Sequence, residues 1–119
     1  MIKKRVVLLM CSVFILTGCN NISESSVYNK FSKELNDVYY FDVEEGFKEV
    51  KLEIDLNVEK GSVKFELKNP NEDVGWSEVV KGDFHEIKDL DKIEGKWELR
   101  FESLDSDTNG ELNIKFSGK

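Results

Sequence analysis

The chain is poor in the residues that most often carry chemistry or brace a small secreted fold. Its two cysteines, Cys11 and Cys19, both lie near the start of 119 residues, so nothing from residue 20 onward can form a disulfide. A domain built there has to be held by its apolar core. There is one histidine, His85. A Ser-His-Asp or Cys-His centre needs a nucleophile and an orienting partner beside the histidine, and no Gly-x-Ser-x-Gly segment or later thiol supplies the nucleophile. A zinc site needs several His or Cys ligands, so His85 reads as an ordinary strand residue. The 24 acidic residues offer many carboxylate pairs, but no signature marks one pair as hydrolytic. There is one proline, Pro70, and no segment from 38 to 119 carries the apolar period of a helix. Cations are short as well, 17 Lys and Arg against 24 Asp and Glu, for a net charge of −7. Nucleic acid is an unsuitable partner for that balance, because phosphates need clustered Lys and Arg. Anionic lipid headgroups would also repel such a surface.

The one long apolar run is confined to the beginning. Lys3, Lys4 and Arg5 precede eleven apolar-rich residues, Val6 to Leu16. A membrane span takes about twenty residues, whereas a basic start followed by a short apolar run has the layout of a secretory signal. Leu16-Thr17-Gly18-Cys19 closes the run and resembles the bacterial lipobox. That resemblance implies diacylglyceryl on the Cys19 thiol, cleavage just before it, and residence on the extracytoplasmic face of the cell membrane; the Lys-, Asn-, Ile- and Glu-rich composition is the hint of a Gram-positive-like cell. A buried acyl chain contributes about 0.8 kcal/mol per CH₂, and stable anchoring takes two or more chains. The alternative is an ordinary secretory signal with a cysteine there by chance. Cleavage would remove residues 1–18 and leave 101, with 14 cations against all 24 acids and a net charge of −10. A chain of that length suffices for one core.

Residues 19–36 read as the lipidated Cys19 followed by a polar tether, since Asn20-Asn21-Ile22-Ser23-Glu24-Ser25-Ser26 has little to bury. Tyr28, Phe31 and Leu35 follow at spacings of three and four. They fit either a turn or two of amphipathic helix or a loose segment. The pattern then changes to period two, and residues 37–119 read as one domain. Val50, Leu52, Ile54, Leu56 and Val58 alternate with Lys51, Glu53, Asp55, Asn57 and Glu59, which places the apolar set on one face of a strand. Lys60-Gly61-Ser62 reads as a turn into Val63, Phe65 and Leu67, making a hairpin with one wet face. Asn69 to Asp73 is a further turn. A strand at Trp76 to Lys81 is broken by Gly82-Asp83 before a short one near Phe84 and Ile87. Trp97, Leu99 and Phe101, then Leu112, Ile114 and Phe116, complete the series. The expectation is an all-β fold, a small antiparallel β-sandwich, jelly-roll-like, of about seven strands.

Three segments carry a second resemblance: Phe65-Glu66-Leu67-Lys68-Asn69-Pro70, Gly95-Lys96-Trp97-Glu98-Leu99-Arg100-Phe101 and Gly110-Glu111-Leu112-Asn113-Ile114. Their order is similar to the later half of the jelly-roll sandwiches attached to secreted bacterial proteases, the P domain of proprotein convertases and the pre-peptidase C-terminal domain. Glu72 and Asp73 depart from that pattern, which usually has a Gly-containing turn there. The resemblance implies a non-catalytic accessory domain.

Two groups of residues are candidate sites. Asp105-Ser106-Asp107-Thr108-Asn109-Gly110 begins as a calcium loop does, with oxygens on alternate residues and a glycine for the turn, and Glu111 adds a carbonyl. Phe116 occupies the position where an EF-hand has its bidentate Glu, so the choice lies between a looser calcium (Ca2+) site at Asp105, Asp107, Asn109 and Glu111 and a plain polar hairpin loop. Tyr39, Tyr40 and Trp76 are candidate ligand contacts for a protein or a sugar, against a role in covering the core edges. Trp97 shares a face with Leu99 and Phe101 and is assigned to the core. The functional expectation is a lipid-anchored binding module, not an enzyme, whose partner is an envelope or secreted protein. The alternatives are a structural accessory subunit of a membrane complex and a wall-glycan-binding domain.

Overall fold

The computed structural model describes residues 23–119; the signal, the lipobox and Cys19 lie outside the described residues. Six strands follow one another: β1 (Ser23–Phe31), β2 (Asn36–Val43), β3 (Val50–Lys68), β4 (Val74–Asp89), β5 (Gly95–Ser103) and β6 (Asn109–Gly118). All pairings are antiparallel within one sheet. The order is β1-β6-β3-β5-β2, with β4 on the other side of β3.

The spine is β3. Val50 to Lys60 pairs with β6, and Val63 to Lys68 pairs with β5, while β4 runs beside both parts. Between them, at 59–62, the register shifts. Buried residues occupy even positions from Val50 to Val58 and odd positions from Val63 to Leu67. A bulge with an uneven number of residues keeps both sets on the core side and bends the strand. Gly61 sits there at φ +84, and a Cβ on it would come within 2.5 Å of Thr108 Oγ1. The hairpin expected at Lys60-Gly61-Ser62 is therefore one bent strand. Alternation reports which face a residue takes and not which strand it pairs with, so two apolar runs around a glycine looked like a reversal. The break expected at Gly82-Asp83 is a bend of the same kind: Gly82, at φ +79, lies opposite Val58 within a continuous β4.

The bend curls the sheet into a half-barrel and brings inner faces together. Phe65, at the centre, lies 5.0 Å from Trp76, 5.6 Å from Phe84 and 5.7 Å from Phe101 between ring centroids. Phe41 of β2 stacks on Phe116 of β6 at 4.3 Å. Leu52, Ile54, Leu56, Leu67, Leu99 and Leu112 fill the space between, all fully buried. Burial of this apolar set is the main favourable term in folding. The all-β, antiparallel expectation holds, with six strands in one curled sheet in place of about seven short ones.

The boundary of the tether also moves. Ser23 to Phe31 is strand β1, paired with β6 from Ser23↔Gly118 to Phe31↔Gly110. Tyr28, Phe31 and Leu35 do not share a helical face, because Tyr28 is 61% exposed while Phe31 and Leu35 are buried. A wet-faced edge strand needs few apolar residues, and here Val27 and Phe31 suffice, so its composition matched that of a linker.

The turn between β3 and β4 is held by Asn69. Its Oδ1 accepts from the Asn71 and Asp73 amides at 2.8 and 3.1 Å, and its carbonyl accepts from the Glu72 amide at 2.8 Å. Glu72 adopts φ +68, a left-handed conformation that costs a residue with a Cβ roughly 1–2 kcal/mol. Glu72→Gly is expected to stabilise the domain by about 0.5–1 kcal/mol after the entropic cost of glycine, seen as a higher urea midpoint at unchanged slope. A lower midpoint would mean that the Glu72 side chain contributes more than its backbone costs.

Candidate functional site

The loop from Leu104 to Thr108 packs over the bend of β3. The Leu104 amide donates to the Ser62 carbonyl at 2.9 Å and the Thr108 amide to the Lys33 carbonyl at 2.9 Å. Thr108 is fully buried and its Oγ1 donates to the Asp105 carbonyl at 3.0 Å. The four residues considered for calcium each face a different partner. Asp105 Oδ2 accepts from Ser62 Oγ at 2.8 Å. Asp107 Oδ2 pairs with Lys60 Nζ at 2.6 Å, which holds the Lys60 ammonium above its usual range. Asn109 Oδ1 accepts from the Lys33 amide at 2.9 Å. Glu111 accepts from the Tyr28 hydroxyl, and that bond raises the tyrosine pKa. Among the described residues, no group of three or more His, Cys, Asp or Glu is placed to hold a metal ion.

The three aromatic candidates separate. Trp76 is 5% exposed. It packs edge-on to Phe65, donates its indole N–H to Glu78 Oε2 at 3.2 Å, and has Lys88 Nζ 4.7 Å from its ring centroid. Trp76 is thus a core residue and not an exposed ligand contact, because β4 turns its even positions inward over β3. Tyr39 also turns inward, edge-on to Phe101. Its hydroxyl donates to Asp37 Oδ2 at 2.9 Å, and the same oxygen accepts from Asn29 Nδ2 at 2.8 Å. Burial, then the Asp37 charge, raise the Tyr39 pKa far above the ordinary 10.0. Tyr40 is the one that faces solvent, 54% exposed, with Lys96 Nζ 5.5 Å from its ring centroid. Trp97 is buried as expected and donates to the Ile93 carbonyl at 2.9 Å.

Sequence reading missed the Asn29–Asp37–Tyr39 network. It joins β1 to β2, and two of its members come from the segment read as a tether or from its boundary. No local spacing signals a contact between two edge strands of one sheet. The Lys96–Tyr40 contact follows from the β2–β5 register, in which Tyr40 faces Glu98 and Asp42 faces Lys96.

His85 lies on the outer face of β4, with Nε2 2.7 Å from Glu53 Oε2 on β3. The bond to Glu53 raises its pKa above 6.5, partial desolvation acts against this, and the charges of Asp55 and Glu53 add to it. A raised folded-state pKa stabilises the fold below the unfolded value near 6.5, and the contribution fades as pH rises through the folded pKa. The His85 ring is expected to titrate above 6.5 by NMR and to return toward it in Glu53→Gln. An identical midpoint in both forms would remove Glu53 as the cause.

Two shallow clefts border the 48–51 segment. One, of about 190 Å³, is lined by Glu24, Glu49, Lys51, Ser117, Gly118 and Lys119. The other, of about 170 Å³, is lined by Lys48, Glu49, Val50, Asp89, Leu90 and Lys92. Both are smaller than the roughly 300–1,000 Å³ typical of small-molecule sites, and neither includes His85. The outer face of the β2–β5 half of the sheet carries Tyr40 among Lys96, Glu98 and Arg100. Arg100 and Glu98 pair at 3.1 Å.

No protein-family model matches the chain, and no curated protein matches it. Solved structures do match. The pre-peptidase C-terminal domain of a collagenase from Bacillus anthracis is 17% identical with a TM-score of 0.52, over 79% of this chain and 89% of that one. A protein of the Bacillus endospore appendages, which form disulfide-linked pili, is 11% identical with a TM-score of 0.53, over 89% of this chain and 98% of that one. At such identities the likeness is one of fold, and the chain has a small antiparallel β-fold resembling that of pre-peptidase C-terminal domains.

Proposed function

We propose that this chain is a lipid-anchored, non-catalytic binding module, held through Cys19 on the extracytoplasmic face of the cell membrane and engaging an envelope or secreted protein. In this reading the curled sheet is a jelly-roll-like sandwich whose halves are its two layers. The observation that supports a binding role is Tyr40, a large ring left 54% exposed on the outer face of β2 with a lysine beside it. Exposed tyrosines with a cationic neighbour are frequent anchors of protein interfaces. A glycan platform is less well supported, since the Trp76 ring is in the core and Tyr39 points inward.

The test is crosslinking in living cells with the full chain, followed by purification. One dominant envelope protein is expected, trapped by the parent, lost in Cys19→Ala, and reduced at least tenfold in Tyr40→Ala. Capture that is indifferent to Tyr40 but dependent on Cys19 would favour the accessory-subunit reading. Retention on purified wall material with no trapped protein would favour the glycan reading.

The Asp105–Glu111 segment we assign to holding the bend of β3 and not to calcium, because each of its four candidate side chains is drawn to a separate partner. The melting temperature is expected to be the same in calcium and in chelator. An ion present at 100 times its Kd would add about 2.7 kcal/mol, a shift on the order of 10 °C in a domain of this size, and such a shift would restore the calcium site.

A further inference from the structure

Cys19 precedes Ser23, the first residue of β1, by only four positions. An extended chain covers at most about 3.6 Å per residue, so the two Cα atoms can be no more than about 14 Å apart. Ser23 lies at one end of the sheet. It pairs with Gly118, which also pairs with Val50. The Phe47 ring lies against Gly118. The Lys48 and Glu49 amides donate to the Lys119 carbonyl, the Leu90 amide donates to the Val50 carbonyl, and Lys92 Nζ reaches the Lys48 carbonyl. Residues 47–51, 89–92 and 117–119 are therefore gathered where the tether enters. The opposite end holds Phe31 and Val58, both paired with Gly110, and the Leu104–Thr108 loop over the bend of β3. From Ser23 to Phe31 the two ends are about 27 Å apart along β1. Building on the anchor proposed at Cys19, we infer that the domain stands end-on: the end formed by 47–51, 89–92 and 117–119 faces the lipid headgroups, and the Leu104–Thr108 end points away from the membrane.

A tether this short keeps the first end near the headgroups in any posture, so the choice lies between standing and lying. Without residues 1–18 the chain carries 14 cations against 24 acids, a net charge of −10. Anionic headgroups repel that charge over a range of about 8 Å at physiological salt. Standing brings one end within the range, with Lys48, Lys51, Lys92 and Lys119 among its acids, and leaves most of the charge outside. Lying brings in a whole flank. On the outer face of β1, β6 and β3 that means Glu53, Asp55 and Glu111 against Lys30 and Lys115. On the β4 side it means Asp73, Glu78, Asp83 and Glu86 against Lys81 and Lys88. The outer face of β2 and β5 is closer to balance, with Lys96 and Arg100 against Glu98 and Glu102, but lying on it would cover Tyr40, which the proposed partner needs.

The experiment uses the lipidated mature chain in phosphatidylglycerol–phosphatidylcholine vesicles that carry a nitroxide on the headgroup. With Cys11 removed and the Cys19 sulfur in a thioether, one introduced cysteine can be labelled with a fluorophore alone. Lys48 and Ser106 are exposed at opposite ends of the domain. The label at Lys48→Cys is expected to lose most of its emission to the nitroxide, and the label at Ser106→Cys very little. Equal quenching at the two positions means a domain lying on its side and overturns the inference. Inserting about a dozen Gly and Ser residues between Asn21 and Ile22 gives a flexible tether and is expected to abolish most of the quenching at Lys48; quenching that survives would show that the tether is not what sets the posture. The anchor is read separately, from the mass of the mature chain and from failure of Cys19→Ala to partition into vesicles. An unmodified Cys19 removes the anchored reading and this inference with it, whereas a lipidated chain quenched equally at both ends refutes the posture alone.

Discussion

Phe65→Ala is expected to destabilise the domain by about 3–5 kcal/mol, as large aromatic truncations in closed cores do, and to lower the melting temperature on the order of 20 °C. Phe65 is fully buried where β3, β4 and β5 meet, and its ring touches those of Trp76, Phe84 and Phe101. These neighbours come from strands hydrogen-bonded to β3, so the backbone restrains them from collapsing into the space left behind. Without any disulfide in residues 20–119, nothing else offsets the loss. Phe65→Leu should cost markedly less, because part of the volume is kept. A thermal melt of both variants checks the pair, and a loss below about 1 kcal/mol for the alanine form would contradict a core organised around this ring.

Gly110→Ala is expected to cost about 3 kcal/mol, at the upper end for overpacking. A Cβ at this position would lie 2.1 Å from the Asn57 carbonyl oxygen, 2.9 Å from Phe31 Cζ and 3.0 Å from Val58 Cα. Two of those three contacts are backbone, which side-chain rotation cannot relieve. Gly110 faces Val58 on one side and Phe31 on the other, so relief would require β6 to draw away from β3 and loosen the end of β1. Hydrogen exchange should therefore show the β1 amides losing protection before those of β3. Gly75→Ala is the matched control, since a Cβ there meets nothing within 4 Å, and it should leave stability within about 0.5 kcal/mol. Equal effects at the two glycines would contradict close packing at Gly110.

The burial of Trp76 changes how binding data on this chain should be read. A Trp76→Ala variant removes a ring packed on Phe65 and Phe84, so weaker binding by it would report a damaged fold. Tyr40→Ala removes an exposed ring and leaves the core intact, so the proposed partner contact is better tested there.

Much of the strand content was legible because period-two alternation is a local consequence of strand geometry. Val50 to Val58, Val63 to Leu67, Trp97 to Phe101 and Leu112 to Phe116 each declared a buried face, and each face is buried. The scarcity of cysteine, histidine and cation narrowed the chemistry for the same reason, since composition needs no fold to be read. The segment from Ser23 to Phe31 was not legible, because an edge strand borrows its stability from β6 and carries few apolar residues of its own. Whether Gly61 reverses the chain or merely bends it depends on which strands pair with β3 before and after it, and those are β6 and β5, roughly thirty or more residues away in sequence. The same holds for the candidate sites. Asp105, Asp107, Asn109 and Glu111 have the spacing of a metal loop, but Ser62, Lys60, Lys33 and Tyr28 come to them only through tertiary contact. Tyr39 and Tyr40 are adjacent in sequence, and only the direction in which β2 faces the core decides that Tyr40 is the one left exposed. Local pattern is enough to tell that strands form, which residues of each clear alternating run turn inward, and that no disulfide within residues 20–119 braces them; pairing, bending and the side-chain partners come only with folding, because they depend on contacts between residues that no local period relates.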